Sequence, residues 1–365
     1  MTIPEEIDTP EIMIDRDVLK RNIDRMASAV RAKGLQLRPH VKTHKVPEIA
    51  ELQLAAGAVG LTVATLGEAE IFAEHGAKDI FIAYPLWVGP RQAERLRRLA
   101  ETTRIAVGVD SREAAETMAA SLGDAVGEVE VLLEIDSGHH RSGIAPDATV
   151  DVARAVSRAG LRVTGVFTFP GHSYAPGMPL KAADDERLAL SQASDLLSAA
   201  GFHLAHRSGG STPTAALTGQ SVATEIRPGV YVFGDAQQLE LERCTAEDIA
   251  LTIAATVVSR HEGNDVIPRR VILDSGSKIL GGDRPSWTTG FGRLLDHPEA
   301  RITGLSEHHA TVVWPAEATL PALGDRLRVV PNHVCVAINL VDEVTVISGG
   351  EIVDRWRVAA RGRNR

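Results

Sequence analysis

Residues 79–136 read DIFIAYPLWVGPRQAERLRRLAETTRIAVGVDSREAAETMAASLGDAVGEVEVLLEID. Three short runs, DIFIAYP (79–85), RIAVGVD (104–110) and EVEVLLEID (128–136), alternate with alanine- and charge-rich stretches such as PRQAERLRRLAET. Apolar runs of this length, rich in β-branched residues, read as buried strands; the stretches between them carry apolar residues at helical spacing. Working outward, the alternation extends upstream through LQLRPHVK (35–42) and GLTVAT (60–65). Downstream it continues through RVTGVFTF (162–169), HLAHRSGG (203–210) and EIRPGVYVF (225–233). Eight strand–helix units give eight parallel strands with right-handed crossovers, and eight is the number that closes a barrel. The expected fold is α/β, a (β/α)8 TIM barrel over residues 21–244.

After about residue 245 the texture changes. DIALTIAATVVSRH, RRVILDSGS, ATVVWP, RLRVVPNHVCVAINL, EVTVIS and EIVDRWRVAA are strand-like, with turns and almost no helix between them. This predicts a C-terminal antiparallel β domain over 245–365. The segment EIMID near residue 12 is expected to join it, so residues 1–20 are read as an N-terminal strand packing with that domain.

The chain has 365 residues, 44% of them hydrophobic, enough for a large core but long for one ordinary domain. A net charge of −9 argues against a polyanion-binding surface, so nucleic acid is not an expected partner. The acidic opening MTIPEEIDTPEIMIDRD lacks the apolar stretch of a signal peptide, and no window approaches a membrane span. Two cysteines, Cys244 and Cys335, make no disulfide framework. A cytoplasmic protein with no membrane partner is expected.

In such a barrel, chemistry sits at the carboxyl ends of the strands and in the loops after them. RPHVKTHK (38–45) gathers Arg38, His40, Lys42, His44 and Lys45 at the end of the first predicted strand. Alternation places His40, Lys42 and His44 on one face. An inward lysine near other cations has a lowered pKa, as Schiff-base chemistry requires; a basic strand end binding phosphate, or nothing, is the plainer alternative. SGGSTPT (208–214), after the seventh strand, has the small residues that let backbone N–H groups converge on an anion, though such a loop is also often merely a loop.

DSGHHRSG (136–143) brings Arg141 to the end of the fifth strand, where it could hold an oxyanion or be a solvated turn residue. GHSY (171–174) follows the sixth strand and offers His172 as an acid or base, or as a histidine with no task. PNHVCV (331–336) sets His333 and Cys335 two apart in a predicted strand, hence on one face, a pair that suits Zn²⁺. SEHHA (306–310) supplies Glu307 and His308, which could complete or orient a metal shell. Two such residues alone are more often accidental than metallic.

Taken in order, these motifs resemble the fold-type III pyridoxal-phosphate enzymes, which share the barrel of alanine racemase. Among them the chain is most similar to the metal-dependent branch of D-threonine aldolases and D-serine dehydratases. DTPEIMIDRDVLKRNI, RPHVKTHK, DSGHHRSG, SGGSTPT, EIRPGVYVFGD and the pair SEHHA and PNHVCV carry the resemblance along nearly the whole chain. It implies that Lys42 is the Schiff-base lysine, that Arg141 faces the cofactor's phenolic oxygen, and that Ser208, Gly209, Gly210, Ser211 and Thr212 hold its phosphate. It extends the cofactor contacts to His40, Tyr174, Arg227 and Tyr231. It makes His333 and Cys335 ligands of Zn²⁺ or Mn²⁺ at the barrel mouth, with Glu307 and His308 behind them.

The implied substrates are β-hydroxy-D-amino acids and the implied assembly a homodimer. Retro-aldol cleavage of D-threonine-type substrates, with His172 as base, ranks ahead of dehydration of D-serine or D-threo-3-hydroxyaspartate. The cues conflict: the His-x-Cys pair resembles the dehydratases and some aldolases, GHSY the dehydratases, and QLAAGAVGLTVATLGEAE and IFIAYP the bacterial aldolases. A racemase would need a second base, usually a tyrosine, and the chain has three tyrosines. A non-enzymatic carrier of the cofactor would have no use for about 120 residues of β domain.

Overall fold

The computed structural model describes residues 3–218 and 222–365; residues 1–2, part of the expected N-terminal segment, and residues 219–221 lie outside it. The chain forms two compact units. One comprises Arg25–Lys42, Ile49–Gly229 and Gly362–Arg365; the other comprises Met1–Asp24, Thr43–Glu48 and Val230–Arg361. Among the described residues no helix is long and apolar enough to cross a membrane.

The first unit is the (β/α)8 barrel. Its strands are Gln36–Leu37, Leu61–Val63, Asp79–Pro85, Arg104–Val109, Val129–Glu134, Arg162–Phe167, His206–Gly209 and Glu225–Ile226. From the second strand onward each pairs in parallel with the next, and the last pairs with the first. A parallel bridge between His40 and Thr62 closes the ring between the first and second strands. The helices bury the faces their spacing predicts: Ala93, Leu96 and Leu99 in Pro90–Ala100, and Ala114, Ala115, Met118 and Leu122 in Arg112–Leu122. Thr65 and Ser111 start two of them by accepting backbone N–H groups from Glu68 and Ala114. Across the barrel interior Phe81, Ala106, Leu132 and Phe167 form an apolar layer, with Phe81 edge-on to Phe167 at 5.0 Å.

Several strands are shorter than expected, for a common reason. The first stops after Leu37, and Lys42 lies in a 3-10 turn, Val41–Thr43, rather than on a strand. The expected alternation of His40, Lys42 and His44 therefore does not apply. Likewise EIRPGVYVF pairs only at Glu225–Ile226, and Tyr231 lies in the turn Val230–Val232. Pro39 and Pro228 lack the N–H that a ladder needs, so pairing ends with His40 N donating to Pro228 O at 3.0 Å.

In the second unit, Leu251–His261, Arg270–Leu273, Ala310–Val313, Arg301–Leu305, Gly292–Leu294 and Arg326–Pro331 pair antiparallel in that order. The last pairs back to the first, which closes a small barrel. Glu11–Asp15 adds to it, antiparallel to Leu251–His261 and parallel to Glu343–Ser348. PNHVCV departs from expectation: the strand ends at Pro331, His333 caps the short helix Val334–Ile338, and Cys335 lies within that helix. Strand alternation therefore cannot be what relates the two side chains.

Candidate active site

At the carboxyl ends of the barrel strands the structure brings His40, Lys42, Arg141 and Arg227 within electrostatic reach of one another. Burial first, then the positive charges of Lys42, Arg227 and Arg141, hold the His40 imidazole well below the usual histidine range. Its Nδ1 is buried with no hydrogen-bond partner among the described residues. A buried polar atom left unpaired is costly, and such atoms collect where a ligand is meant to sit. Lys42 is half-buried.

Arg227 is buried on the apolar layer, 5.7 Å and 5.4 Å from the ring centres of Phe81 and Phe167. It donates to Ser208 Oγ (2.6 Å) and Thr168 O (2.5 Å). Ser208 Oγ in turn donates to Glu225 Oε1 at 2.6 Å, so this hydroxyl is committed inside the barrel. Arg141 is half-exposed and lies over Phe169 at 5.1 Å, with Glu134 Oε1 3.8 Å away. Phe169 also neighbours Tyr174, ring centres 6.3 Å apart. Burial raises the pKa of Glu134, partly offset by Ser142 and Arg141.

The loops after the sixth and seventh strands meet: Ser173 Oγ lies 3.0 Å from Ser211 Oγ. Ser211 N donates to Thr214 Oγ1 at 2.9 Å, and Gly210 N to Glu186 Oε2 at 2.7 Å. Two amides of SGGSTPT thus already have acceptors, while Thr212 sits half-buried in the turn beyond. His172 is largely buried, its Nε2 3.1 Å from Asp185 Oδ2, which also accepts from Lys181 at 2.6 Å. Lys181 and then His172 hold Asp185 below the usual carboxylate range. His172 Nδ1 is buried and unpartnered among the described residues.

The other site residues belong to the second unit. His333 Nδ1 lies 3.2 Å from Asp235 Oδ2, a fully buried carboxylate that also caps the helix Ala236–Glu240. Burial works to lower the His333 pKa, but Cys335 and Asp235 beside it outweigh this and hold it well above the usual range. Cys335 Sγ donates to Thr43 Oγ1 at 3.3 Å, and Thr43 follows Lys42 in the chain. Tyr231 is buried. Glu307 and His308 sit exposed at a hairpin turn, Glu307 paired with Lys278 at 2.6 Å. Among the described residues no group of three or more metal-ligating side chains forms, so they do not join His333 and Cys335.

Asp185, Glu186 and Asp235 are the residues that sequence reasoning missed. Asp184–Asp185–Glu186 look like a solvated helix face. Yet Glu186 falls in register with Ala182, Ala189, Ala193 and Leu197, all buried, and that spacing was the available signal.

The family model described as alanine racemase, N-terminal domain, matches residues 14–237. The chain belongs to that family. In this alanine racemase-family chain, residues 250–347 match a second model, a putative serine dehydratase domain. The chain is 39% identical to D-threo-3-hydroxyaspartate dehydratase of Delftia sp. (strain HT23), covering 90% of this chain and 91% of that one. It is 32% identical to D-threonine aldolase of Arthrobacter sp, covering 98% and 94%. A solved structure of the dehydratase with cysteine replaced by alanine, in the metal-free form, superposes with a TM-score of 0.87. That match is at 35% identity and covers 96% of this chain and 97% of the other. Membership of this family makes the chain a fold-type III pyridoxal-phosphate enzyme, and these relatives are named as lyases.

Proposed function

We propose that the protein is a pyridoxal-phosphate- and divalent-metal-dependent lyase that cleaves β-hydroxy-D-amino acids, as D-threonine aldolase does. The observation that carries this reading is His172, with one ring nitrogen held by Asp185 and the other buried and unpaired.

The residues fit the cofactor. A half-buried amine on Lys42, the unpaired His40 Nδ1 and the charges of Arg141 and Arg227 suit an anionic aldehyde. Lys42 Nζ would hold it, Arg141 its phenolic oxygen, and Gly209 to Thr212 its phosphate, with Ser208 anchoring the loop from below. Tyr174, Arg227 and Tyr231 would complete the contacts. When bound, pyridoxal phosphate supplies an electron sink for bonds broken at the substrate's Cα. His333 and Cys335 fit Zn²⁺ or Mn²⁺ as donors, and the ion would supply Lewis acidity toward the β-hydroxyl. Asp235, on the far nitrogen of His333, fixes which nitrogen stays open.

Asp185 accepts from His172 Nε2–H, which leaves Nδ1 as the lone-pair nitrogen. His172 Nδ1 then takes the proton of the substrate's β-hydroxyl as Cα–Cβ breaks and the aldehyde leaves, and a proton delivered to Cα completes glycine. Phe169 braces Arg141 and Tyr174 beside this site.

Dehydration is the second reading, favoured by the higher identity to a dehydratase. There Lys42 Nζ takes the Cα proton, the hydroxyl leaves as water, and a 2-oxo acid and ammonia result. Two cysteines outside any disulfide support a reducing, cytoplasmic setting, and the family resemblance supports a homodimer.

The test is to incubate holoenzyme with D-threonine, with and without EDTA, and identify products by mass. Glycine and acetaldehyde, lost with chelator, are expected. 2-Oxobutyrate and ammonia would assign the dehydratase instead. No turnover of D-threonine, D-serine or D-3-hydroxyaspartate would overturn the lyase reading.

A further inference from the structure

The helix Pro179–Ala199 turns one face inward, and among its buried alanines and leucines stands an acid, Glu186, 2% exposed. Its carboxylate accepts the Gly210 N–H at 2.7 Å. Gly210 has φ +79°, and a Cβ on Gly209 would fall 2.7 Å from the Glu186 carboxyl carbon. The two glycines of SGGSTPT are therefore shaped around this acid: one bends the backbone, the other clears room for the carboxyl. Arg227 is the charged group that faces Glu186 from the barrel, itself drawn on by Glu225 and Glu134. On its own helix, Asp185 turns to His172 and Lys181, and Arg187 to Asp184.

Burial pushes Glu186 up to about 7, against the pull of the Gly210 N–H and Arg227. Near neutral pH this acid therefore stands at the balance point between its charged and neutral forms. A phosphate on the same loop adds a second anion beside it. Two acids that share a site in a low-dielectric interior do not both stay ionised. Glu186 is the one shielded from solvent, 2% exposed, and it keeps its hold on Gly210 through one oxygen when the other is protonated.

We propose that Glu186 is a positioning residue of the phosphate loop, and that phosphate binding by SGGSTPT is accompanied by uptake of one proton onto Glu186. This rests on reading SGGSTPT as the cofactor's phosphate loop. Cofactor retention is then tied to pH: the phosphate group binds best below the pKa of Glu186 and less well above it.

The experiment titrates cofactor-depleted full-length protein with pyridoxamine 5′-phosphate, which forms no imine with Lys42, and with pyridoxamine. Calorimetry in two buffers of different ionisation heat counts protons. At about pH 8 close to one proton should be taken up with the phosphorylated probe. Its affinity should fall by up to about tenfold per pH unit above neutrality. Glu186→Gln, which keeps an acceptor for Gly210, should abolish both effects. Uptake unchanged in Glu186→Gln, or affinity in the wild-type protein that does not fall between about pH 7 and 8.5, overturns the proposal. The wild-type measurement needs no variant to fold. Equal binding of the two probes would instead overturn the phosphate-loop reading on which it rests.

Discussion

Around the amino ends of the barrel strands, Asp79, Arg104, Glu130, Arg162, His206 and Glu225 form one connected set of ion pairs with Arg38, which follows the short first strand. Arg38 binds Glu225 at 3.0 Å and also Asp79; Arg104 and Arg162 share Glu130 at 2.9 Å and 3.0 Å; His206 lies 3.7 Å from Glu225. At the carboxyl ends, past the layer of Phe81, Ala106, Leu132 and Phe167, the same kinds of side chain keep atoms without partners among the described residues: His40 Nδ1, His172 Nδ1 and Glu134 Oε2. One end satisfies its charges and the other withholds partners. Polar groups that cost stability while unpaired are explained by a ligand that pairs them, whereas a closed network needs no ligand to account for it.

The sharpest way to break that comparison is at Lys42. Lys42→Ala should lower activity by about 10³-fold or more and remove the visible absorbance of lysine-bound cofactor, while the melting temperature of the cofactor-free protein barely moves. A chromophore that persists would show that another lysine holds the cofactor.

Next in size comes the closed end. Arg38→Met leaves Glu225, 1% exposed, without its main cationic partner and should destabilise the fold by about 3–5 kcal/mol, read by chemical denaturation. Activity per folded molecule should hold. A loss of turnover without loss of stability would erase the division between the two ends.

Asp185→Asn is a smaller change at the open end. It should cut kcat by roughly 10- to 100-fold and move the pH profile, with KM little altered, because His172 loses the partner that fixes its tautomer. An unchanged profile would make Asp185 a surface ion-pair residue.

The smallest effect is also the most diagnostic, since the two ends should respond to pH in opposite senses. Burial alone would raise Glu225, but His206, Arg38 and Ser208 hold it at about 2. The stability it lends is full above its ordinary value of 4.5 and is lost as pH falls from there toward 2. Glu186, at about 7, does the reverse: its contribution is full below 4.5 and is lost as pH rises from there to 7. Glu225→Gln should therefore flatten the acid limb of melting temperature against pH, and Glu186→Gln the limb toward neutrality. Identical limbs in both variants would contradict these assignments.

The barrel was legible because eight apolar runs alternate with one-sided helices, a pattern that parallel packing imposes on sequence. Lys42, His172, Arg141 and the glycines of SGGSTPT were legible as candidates because they fall just after strand ends. Local geometry was not. Pro39 and Pro228 were in plain view, yet their loss of ladder donors turns RPHVKTHK into a tight turn rather than a strand. Pro331 does the same before His333 and Cys335. Asp185 and Asp235 act across the fold on histidines 13 and 98 positions away, a relation that no local spacing encodes.

The backbone passes between the two compact units five times, and one of those excursions, Thr43–Glu48, begins at the residue after Lys42. For anyone recombining these enzymes, the β unit is thus not a cassette that lifts out at a single junction. A chimera that grafts Val230–Arg361 from a relative but keeps its own Thr43–Glu48 would set a foreign cysteine-bearing helix against a native threonine, the pair that Cys335 and Thr43 now make at 3.3 Å. The hexapeptide after the lysine belongs with the distant segment in one compact unit, and crossover points should be chosen to keep them together.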